Sequence, residues 1–495
     1  MNNTDKTAVK KQRIQAQNIA AQSENGKNSA CARINKLFDN GSFIEIGGFA
    51  SDGQNPSGVI TGYGTVDERL VFVWAQDFHE EEGALGSVGA KKISDILDMA
   101  VKVGAPVVSI LDSNGVRINE GVNALSGIGE ILSRVAKTSG VVPQIAMVLG
   151  PCAGSAVFAA GLCDFVFMTE TDSSMYMTGP AVTSGVTGKQ TDAASLGGGN
   201  VCAKNGTADF VYKSDDECIA GVRRLLSYLP SNNIETSPFA QGDDINRISN
   251  ILPIIPDDGS GYDMVALIKE IADNSEFFEA APSYSPSMIT GFANLGGGSV
   301  GIVANQPLVG GGILNIDAAK KAAMFIRICD SFNIPIVTFV DTPGFEIGME
   351  QEHGGISVYG AALLYAYAEA SVPKVSVAVG KACGGAYLAM GAKPSGADLA
   401  LAYPFAQISV LSPETAANIV FRDDIASSAD PVSERAAKIS EYAKTVASPY
   451  TAANDGFIDD IIDPETTRVR LISALDMLAG KREERIPKKH GNMPV

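Results

Sequence analysis

PVVSILD, residues 106–112, and PIVTFVD, residues 335–341, are two versions of one stretch of sequence that lie 229 positions apart. Each is a short apolar run that follows a proline and ends in an aspartate, a pattern typical of a buried β-strand with a loop at its carboxyl end. The loops match as well, because Gly115 and Gly344 lie at the same spacing. Two buried strands related in this way indicate that one structural unit occurs twice.

Further matches extend this repeat in both directions. The matched pairs at offsets of 229 or 230 are 60–62 with 289–291, 90–92 with 319–321, 142–143 with 372–373, and Gly154 with Gly384. The offset stays within one residue over about ninety positions. We therefore predict that the chain contains two copies of one fold.

Within each copy, short apolar runs alternate with helical patterns. In the first copy, these patterns predict a β-rich start over 58–74, a helix over 89–103, a strand over 107–112, a helix over 124–139 and a strand over 144–149. Such alternation is typical of β/α units on a largely parallel sheet, so the predicted fold class is α/β.

A segment rich in Pro, Asn, Asp, Ser and Gly, residues 229–262, separates the copies. We accordingly predict an N-terminal domain over 1–250, which includes a polar arm of about thirty residues, and a C-terminal domain over 251–495.

Composition excludes several functions. The 495 residues include 38 Lys+Arg and 56 Asp+Glu, a net charge of −18 that argues against a binder of nucleic acid or anionic membrane. Three dispersed histidines and seven cysteines without a CxxC pair predict no metal site and indicate reduced, cytoplasmic thiols. The uncharged stretch 145–163 contains three glycines and a proline, and we interpret it as strand, turn and helix, not a membrane span.

Five of the 52 glycines lie at two turns of the same pattern. GPCAGSA, residues 150–156, is named here the first elbow, and GKACGGA, residues 380–386, the second elbow; each joins an apolar strand to a helix. Small residues let a ligand approach the backbone, where the first N–H groups of a helix have no internal partner. Each elbow could therefore stabilise a negative oxygen without a catalytic side chain, or could serve only close packing. Asp112 and Asp341 are equally suited to capping a turn and to taking part in the site.

At these residues the sequence resembles the carboxyltransferase subunits of biotin-dependent acyl-CoA carboxylases and decarboxylases, such as the propionyl-CoA carboxylase β chain and the methylmalonyl-CoA decarboxylase α chain. The stretches that carry the resemblance span nearly the whole chain: ITGYGT (60–65), GAPVVSILDSNGVRINEGV (104–122), GPCAGSAV (150–157), IVANQP (302–307), FVDTPGF (339–345) and GKACGGAY (380–387).

The resemblance implies two duplicated crotonase-like (ClpP/crotonase) domains, each a twisted sheet with flanking helices. It also implies a homohexamer, a trimer of dimers, in which the N-terminal domain holds acyl-CoA and the C-terminal domain holds carboxybiotin. The chain shows no biotinylation motif and no ATP-binding loop, so biotin is expected on a carrier protein. A biotin carboxylase or a membrane decarboxylase subunit is the expected second partner.

The same resemblance implies roles for individual residues. The N–H groups of Ser155 and Ala156 are expected to receive an enolate oxygen, and those of Gly385 and Ala386 the ureido oxygen of biotin. Residues expected to contact the substrates are Gly115, Gly154, Gly344, Gly384 and Leu388.

Several alternatives stay open at the level of sequence. The same chemistry in reverse would suit the α subunit of a membrane-bound, sodium-pumping decarboxylase, placing a cytoplasmic chain at the inner face of a membrane through its partner. A crotonase-type hydratase or isomerase would need a carboxylate near the first elbow, for which Glu120 and Asp164 are candidates. A scaffold without activity would not require small residues at the elbows. The sequence does not specify which acyl-CoA is used.

Overall fold

The computed structural model describes residues 28–51, 57–256, 258–483 and 486–494. The chain divides into two compact units with the boundary between Thr236 and Ser237, inside the predicted linker but before the expected position at 250. Residues 237–250 belong to the second unit because Arg247 donates hydrogen bonds to the carbonyl oxygens of Glu270 (2.7 Å) and Ala272 (2.8 Å). Most of the predicted polar N-terminal arm lies outside the described residues.

The described part of the first unit contains one sheet of eight strands. The strands are β1 (Ile44–Ile46), β2 (Val59–Val66), β3 (Arg69–Gln76), β4 (Val107–Ser113), β5 (Gln144–Ala153), β6 (Phe165–Thr169), β7 (Ser174–Tyr176) and β8 (Phe210–Tyr212). Their order is β1-β2-β3-β4-β5-β6-β8, with β7 also paired to β5. The pairs β1–β2 and β2–β3 are antiparallel, and from β3 onward the sheet is parallel.

The described part of the second unit repeats this sheet strand for strand. The strands are β9 (Phe277–Ala280), β10 (Met288–Leu295), β11 (Gly298–Asn305), β12 (Ile336–Thr342), β13 (Lys374–Cys383), β14 (Leu399–Ala402), β15 (Gln407–Ser409) and β16 (Asp460–Ile461). Their order is β9-β10-β11-β12-β13-β14-β16, with β15 also paired to β13. The predicted α/β class and the predicted duplication are confirmed.

Helices connect the strands in both units. In the first unit they are α1 (Ala30–Leu37), α2 (Ser87–Val103), α3 (Val122–Thr138), α4 (Val157–Gly161), α5 (Pro180–Thr187), α6 (Ala193–Gly197), α7 (Gly199–Lys204) and α8 (Asp215–Tyr228). In the second they are α9 (Met264–Ile271), α10 (Ile316–Ser331), α11 (Met349–Gly354), α12 (Ile356–Glu369), α13 (Gly384–Ala389), α14 (Pro413–Val420), α15 (Arg422–Ser427), α16 (Pro431–Thr445), α17 (Pro449–Asn454) and α18 (Thr467–Leu478).

In each sheet the second and third strands form a tight hairpin whose turn is held by a carboxylate. Residues 67–68 and 296–297 have positive φ at both positions, as a two-residue hairpin turn requires. The carboxylate of Asp39 accepts both N–H groups of the first turn, at 3.1 and 3.0 Å. Asp273 accepts both N–H groups of the second turn, at 3.1 and 2.7 Å. The duplication therefore includes polar contacts that the sequence comparison did not reveal.

The core of each unit lies against the central parallel strands. All seven residues of β4 are buried, as are the first seven of β5. The apolar faces of α2 and α3 join these strands in one cluster, consistent with their helical periodicity. The stretch 145–163 forms most of β5, the first elbow and α4, which confirms the prediction of strand, turn and helix. In the described ranges, no helix is both long enough and apolar enough to span a membrane.

Candidate functional site

Both predicted elbows have the same backbone geometry. Strands β5 and β13 continue to Ala153 and Cys383, and the next residue is a glycine with a left-handed backbone, Gly154 at φ 65° and Gly384 at φ 59°. A residue with a side chain would be strained in this conformation, so glycine permits the abrupt change from strand to helix. A 3₁₀ turn at residues 154–156 leads into α4, whereas α13 begins directly at Gly384.

Two consecutive N–H groups follow each of these glycines, on Ser155 and Ala156 in the first elbow and on Gly385 and Ala386 in the second. Among the backbone hydrogen bonds of the described turns and loops, none is donated by either pair. Ala156 and Ala386 are buried, whereas Ser155 is partly exposed and Gly385 is exposed. Adjacent N–H donors at the edge of solvent are suited to binding a negatively charged oxygen.

In each unit the loop at the strand end approaches the elbow. Gly115 follows β4, and a Cβ atom on it would lie 3.9 Å from the carbonyl oxygen of Ala153. In the second unit, Phe345 follows Gly344, and its ring lies 3.7 Å from the position of a Cβ atom on Gly385. Each unit therefore brings its predicted loop and its predicted elbow together at the carboxyl ends of parallel strands, the usual place for ligands in α/β folds.

The loops have matching internal hydrogen bonds. The N–H of Gly115 donates to Oγ of Ser113 at 3.0 Å, and the N–H of Gly344 donates to Oγ1 of Thr342 at 3.4 Å. These hydroxyl groups fix the loops from within the strand, so the loop shape is encoded locally.

Asp112 is buried and Asp341 is partly buried, and both carboxylates are held by hydrogen bonds beside the elbows, which favours a structural role for them over a role in the chemistry. Oδ2 of Asp112 accepts a hydrogen bond from the Arg33 guanidinium at 2.7 Å. Oδ2 of Asp341 accepts from the Tyr262 hydroxyl, and Oδ1 from the N–H of Lys381, both at 2.8 Å. Burial raises the pKa of Asp341 above its ordinary value. Neither Arg33 nor Tyr262 was identified from the sequence as a partner of these carboxylates.

A pocket of about 550 Å³ lies beside the second elbow. Its lining residues are Gly384, Gly385, Tyr387, Leu388, Ile408, Ser409, Val410, Tyr442, Val446, Thr451, Ala452, Asp455 and Phe457. The structure thus gathers three of the predicted residues, Gly384, Gly385 and Leu388, around one cavity. Ala386 and Gly344 lie in the neighbouring backbone and do not line it.

The outer wall of this pocket comes from residues that sequence reasoning missed. Val410 follows the short strand β15, and Tyr442 and Val446 belong to the end of α16 and the residue after it. None of them lies in a repeated stretch. The one available signal was the spacing of Tyr442 and Val446, which places two apolar side chains one helical turn apart in an otherwise charged sequence.

The two carboxylates considered for hydratase chemistry have other contacts. Oε2 of Glu120 accepts the N–H of Ser87 at 2.7 Å. Oδ2 of Asp164 accepts the N–H of Gln144 at 2.8 Å, at the start of β5 and thus at the opposite end of that strand from the first elbow. Burial raises the pKa of Asp164 to about 7. Neither contact places a carboxylate at the turn.

Comparison with known proteins decides the family. The family model described as "Carboxyl transferase domain" matches residues 21–493. The chain belongs to the carboxyl transferase family. This confirms the resemblance stated from sequence. Within the described ranges, this carboxyl transferase has no group of three or more His, Cys, Asp or Glu side chains arranged to hold a metal ion.

Relatives of this carboxyl transferase match over almost the whole length. It is 48% identical over 491 residues to the methylmalonyl-CoA decarboxylase subunit alpha of Propionigenium modestum, covering 96% of this chain and 95% of the relative. It is also 48% identical over 485 residues to the putative propionyl-CoA carboxylase beta chain of Bacillus subtilis, covering 96% of each. The crystal structure of transcarboxylase 12S, described as a hexamer assembly with methylmalonyl-coenzyme A bound, matches with a TM-score of 0.95 and 42% identity, covering 99% of this chain and 98% of that one.

Proposed function

We propose that this carboxyl transferase moves a carboxyl group between carboxybiotin and the α-carbon of a short acyl-CoA of the propionyl-CoA or methylmalonyl-CoA type. The observation that carries the proposal is the pair of equivalent elbows, each with two consecutive N–H groups and no acceptor among the described turns. The reaction develops negative charge on two different oxygens, one on a thioester and one on a ureido ring. Two duplicated oxyanion sites match that requirement.

The first elbow is assigned to the acyl-CoA. Removing a proton from the α-carbon of a thioester produces an enolate oxygen, and the N–H groups of Ser155 and Ala156 stabilise it. No side chain is needed there as an acid, because backbone N–H groups are fixed donors and need no reorganisation when charge develops. Gly115 and Gly154 leave room for the thioester to approach the backbone.

The second elbow is assigned to the biotin ring. Its pocket of about 550 Å³ has a size typical of small-molecule sites, and Leu388, Val410 and Val446 give it apolar walls that suit a fused ring. The N–H groups of Gly385 and Ala386 stand beside the cavity, where they would donate to a ureido oxygen. When bound, carboxybiotin supplies the carboxyl group and a ring nitrogen able to accept the α-proton.

Partners follow from this assignment. Biotin would arrive on a carrier protein, and a biotin carboxylase would load it. We propose a homohexamer, a trimer of dimers, since transcarboxylase 12S is described as a hexamer. The acyl-CoA side corresponds to the N-terminal unit and the carboxybiotin side to the C-terminal unit, and the location is cytoplasmic.

The assay that tests the proposal combines the protein with carboxylated biotin, free or on a carrier protein, and a panel of short acyl-CoA thioesters. Formation of a carboxylated thioester, or carboxylation of biotin from a malonyl-type thioester, is the expected result. Absence of transfer in both directions with every thioester would refute it.

A second candidate is the reverse reaction in a membrane-bound, sodium-pumping decarboxylase. The relative from Propionigenium modestum, named as a methylmalonyl-CoA decarboxylase subunit, favours it. In that case a membrane subunit would replace the biotin carboxylase, and the chain would sit at the inner face of the membrane. Copurification from the native cell distinguishes the two candidate functions. A biotin carboxylase accompanying the chain indicates a carboxylase, and a polytopic membrane protein indicates the decarboxylase.

A further inference from the structure

Each elbow begins in a bulge that lies opposite a single aspartate. Leu111 pairs with Val148 and Ser113 with Cys152, so residues 149–151 of β5 face one residue of β4, Asp112. In the second unit Val340 pairs with Ala378 and Thr342 with Ala382, so residues 379–381 of β13 face Asp341 alone. Bulges of this kind redirect a strand and occur next to active sites.

The second bulge is closed by the carboxylate of Asp341. Its Oδ1 accepts the N–H of Lys381, and its Oδ2 is held by the Tyr262 hydroxyl, both at 2.8 Å. The carboxylate packs directly on the elbow, since a Cβ atom on Gly380 would lie 2.3 Å from Oδ2. Tyr262 is itself buried, with 8% of its surface exposed.

The first bulge is closed differently, and one residue explains the difference. Pro151 stands where the second unit has Lys381, and proline has no N–H to donate. Here Arg33 provides the link, donating to Asp112 at 2.7 Å and to the carbonyl oxygen of Leu149 at 2.6 Å. Both units thus fasten the bulged strand to the same aspartate position through different groups.

We propose that Asp341 is a positioning residue for the second elbow, which it fixes through the N–H of Lys381. Four residues farther along the chain is Gly385, one of the two oxyanion donors assigned above, and the intervening Gly384 adds no side chain to stiffen the turn. An oxyanion donor acts only when it is held in place, and the contact of Asp341 with Lys381 holds the strand end from which this turn departs. This inference rests on the proposed function of that elbow.

The test compares Lys381→Pro with Lys381→Ala in the complete chain. Both remove the lysine side chain and its ion pair with Glu414, but only proline removes the N–H that Asp341 accepts. The equivalent position of the first unit is Pro151, so this strand geometry is compatible with proline. Tyr262→Phe is a second variant that keeps the N–H and loosens the carboxylate.

Relative to Lys381→Ala, we expect Lys381→Pro to lower kcat for carboxyl transfer about tenfold, the effect of one lost hydrogen bond, with KM for acyl-CoA unchanged. Deuterium uptake by a peptide spanning 380–390 should rise, while uptake by 150–160 should not. Tyr262→Phe should also lower kcat and raise deuterium uptake by the peptide 380–390, each by a smaller amount.

Equal kcat in the two Lys381 variants overturns the proposal, and so does equal deuterium uptake. If the unmodified protein transfers no carboxyl group at all, the proposed function fails, and the uptake comparison alone decides whether Asp341 positions the elbow.

Discussion

Gly154 and Gly384 occupy equivalent positions in the two sheets and share a left-handed backbone, with φ of 65° and 59°. Their surroundings differ. A Cβ atom on Gly384 would lie 2.9 Å from the carbonyl oxygen of Val410, whereas nothing lies within 4 Å of one on Gly154. The duplication therefore preserves the conformation of the turn while the space around it has diverged.

Because of this difference, we expect the same glycine-to-alanine substitution to lower the free energy of unfolding by different amounts at the two positions. Gly154→Ala should destabilise the protein by ~1 kcal/mol, since only the left-handed conformation opposes it. Gly384→Ala adds a close contact with backbone and should cost ~2–3 kcal/mol. Urea denaturation followed by circular dichroism measures both. Equal losses would mean that the segment around Val410 moves freely and that the wall of the pocket is not fixed.

Removal of one donor at the second elbow predicts a loss of turnover. Gly385→Pro deletes an N–H within the first turn of α13, where proline is tolerated. We expect kcat to fall about 10²-fold or more, the usual effect of losing an oxyanion donor. The dissociation constant for acyl-CoA, measured by calorimetry, should change little.

Gly385→Ala is the matched control for that variant. It keeps the N–H, and its Cβ would lie at an ordinary 3.7 Å from the Phe345 ring. If Gly385→Pro weakens acyl-CoA binding as much as it lowers kcat, the division of labour between the two elbows is wrong.

The raised pKa of Asp164 predicts that the stability of the protein depends on pH. Burial raises its pKa from 3.8 to about 7, so the folded protein retains a proton that the unfolded chain releases as the pH rises above 4. Asp164 therefore does not reduce the stability of the fold below about pH 4. Stability declines as the pH rises from about 4 to about 7, and above that the loss is constant. Asp164→Asn should raise Tm by several degrees at pH 8 and by less at pH 5.

The asparagine variant keeps an oxygen that can accept the N–H of Gln144, the contact that Asp164 makes at 2.8 Å. A gain in Tm that is the same at both pH values would show that ionisation of Asp164 is not responsible. Calorimetric scans at the two pH values are sufficient.

We expect replacement of Arg33 to destabilise the first unit. Its guanidinium is buried and bridges Asp112 at 2.7 Å and Asp215 at 2.8 Å. Arg33→Met removes a cation shared by two carboxylates in a water-poor site, which should cost ~3–5 kcal/mol. The single tryptophan, Trp74 in β3, reports unfolding of this unit by fluorescence.

A second substitution tests whether the cost arises from charge. Arg33→Met with Asp112→Asn leaves one fewer buried negative charge, so it should recover part of the lost stability. A double variant no more stable than Arg33→Met would place the cost in packing instead.

Local sequence was sufficient for much of the site. The elbows were predicted because two runs of small residues join an apolar strand to a helix at equivalent places in the repeat, and Gly154 and Gly384 do adopt the backbone that glycine permits. The loops at Gly115 and Gly344 were predicted at strand ends and are found there. Both features depend on residues adjacent in the chain.

The sequence by itself determined that one α/β unit occurs twice, because buried strands and their turns follow from residue order and a constant offset. Only the tertiary structure decided what holds the turns in place. Arg33 reaches Asp112 across 79 positions and Tyr262 reaches Asp341 across the same separation. Contacts over such distances follow from how helices and loops pack against the ends of the strands, and no local pattern encodes which distant side chain will meet a given carboxylate.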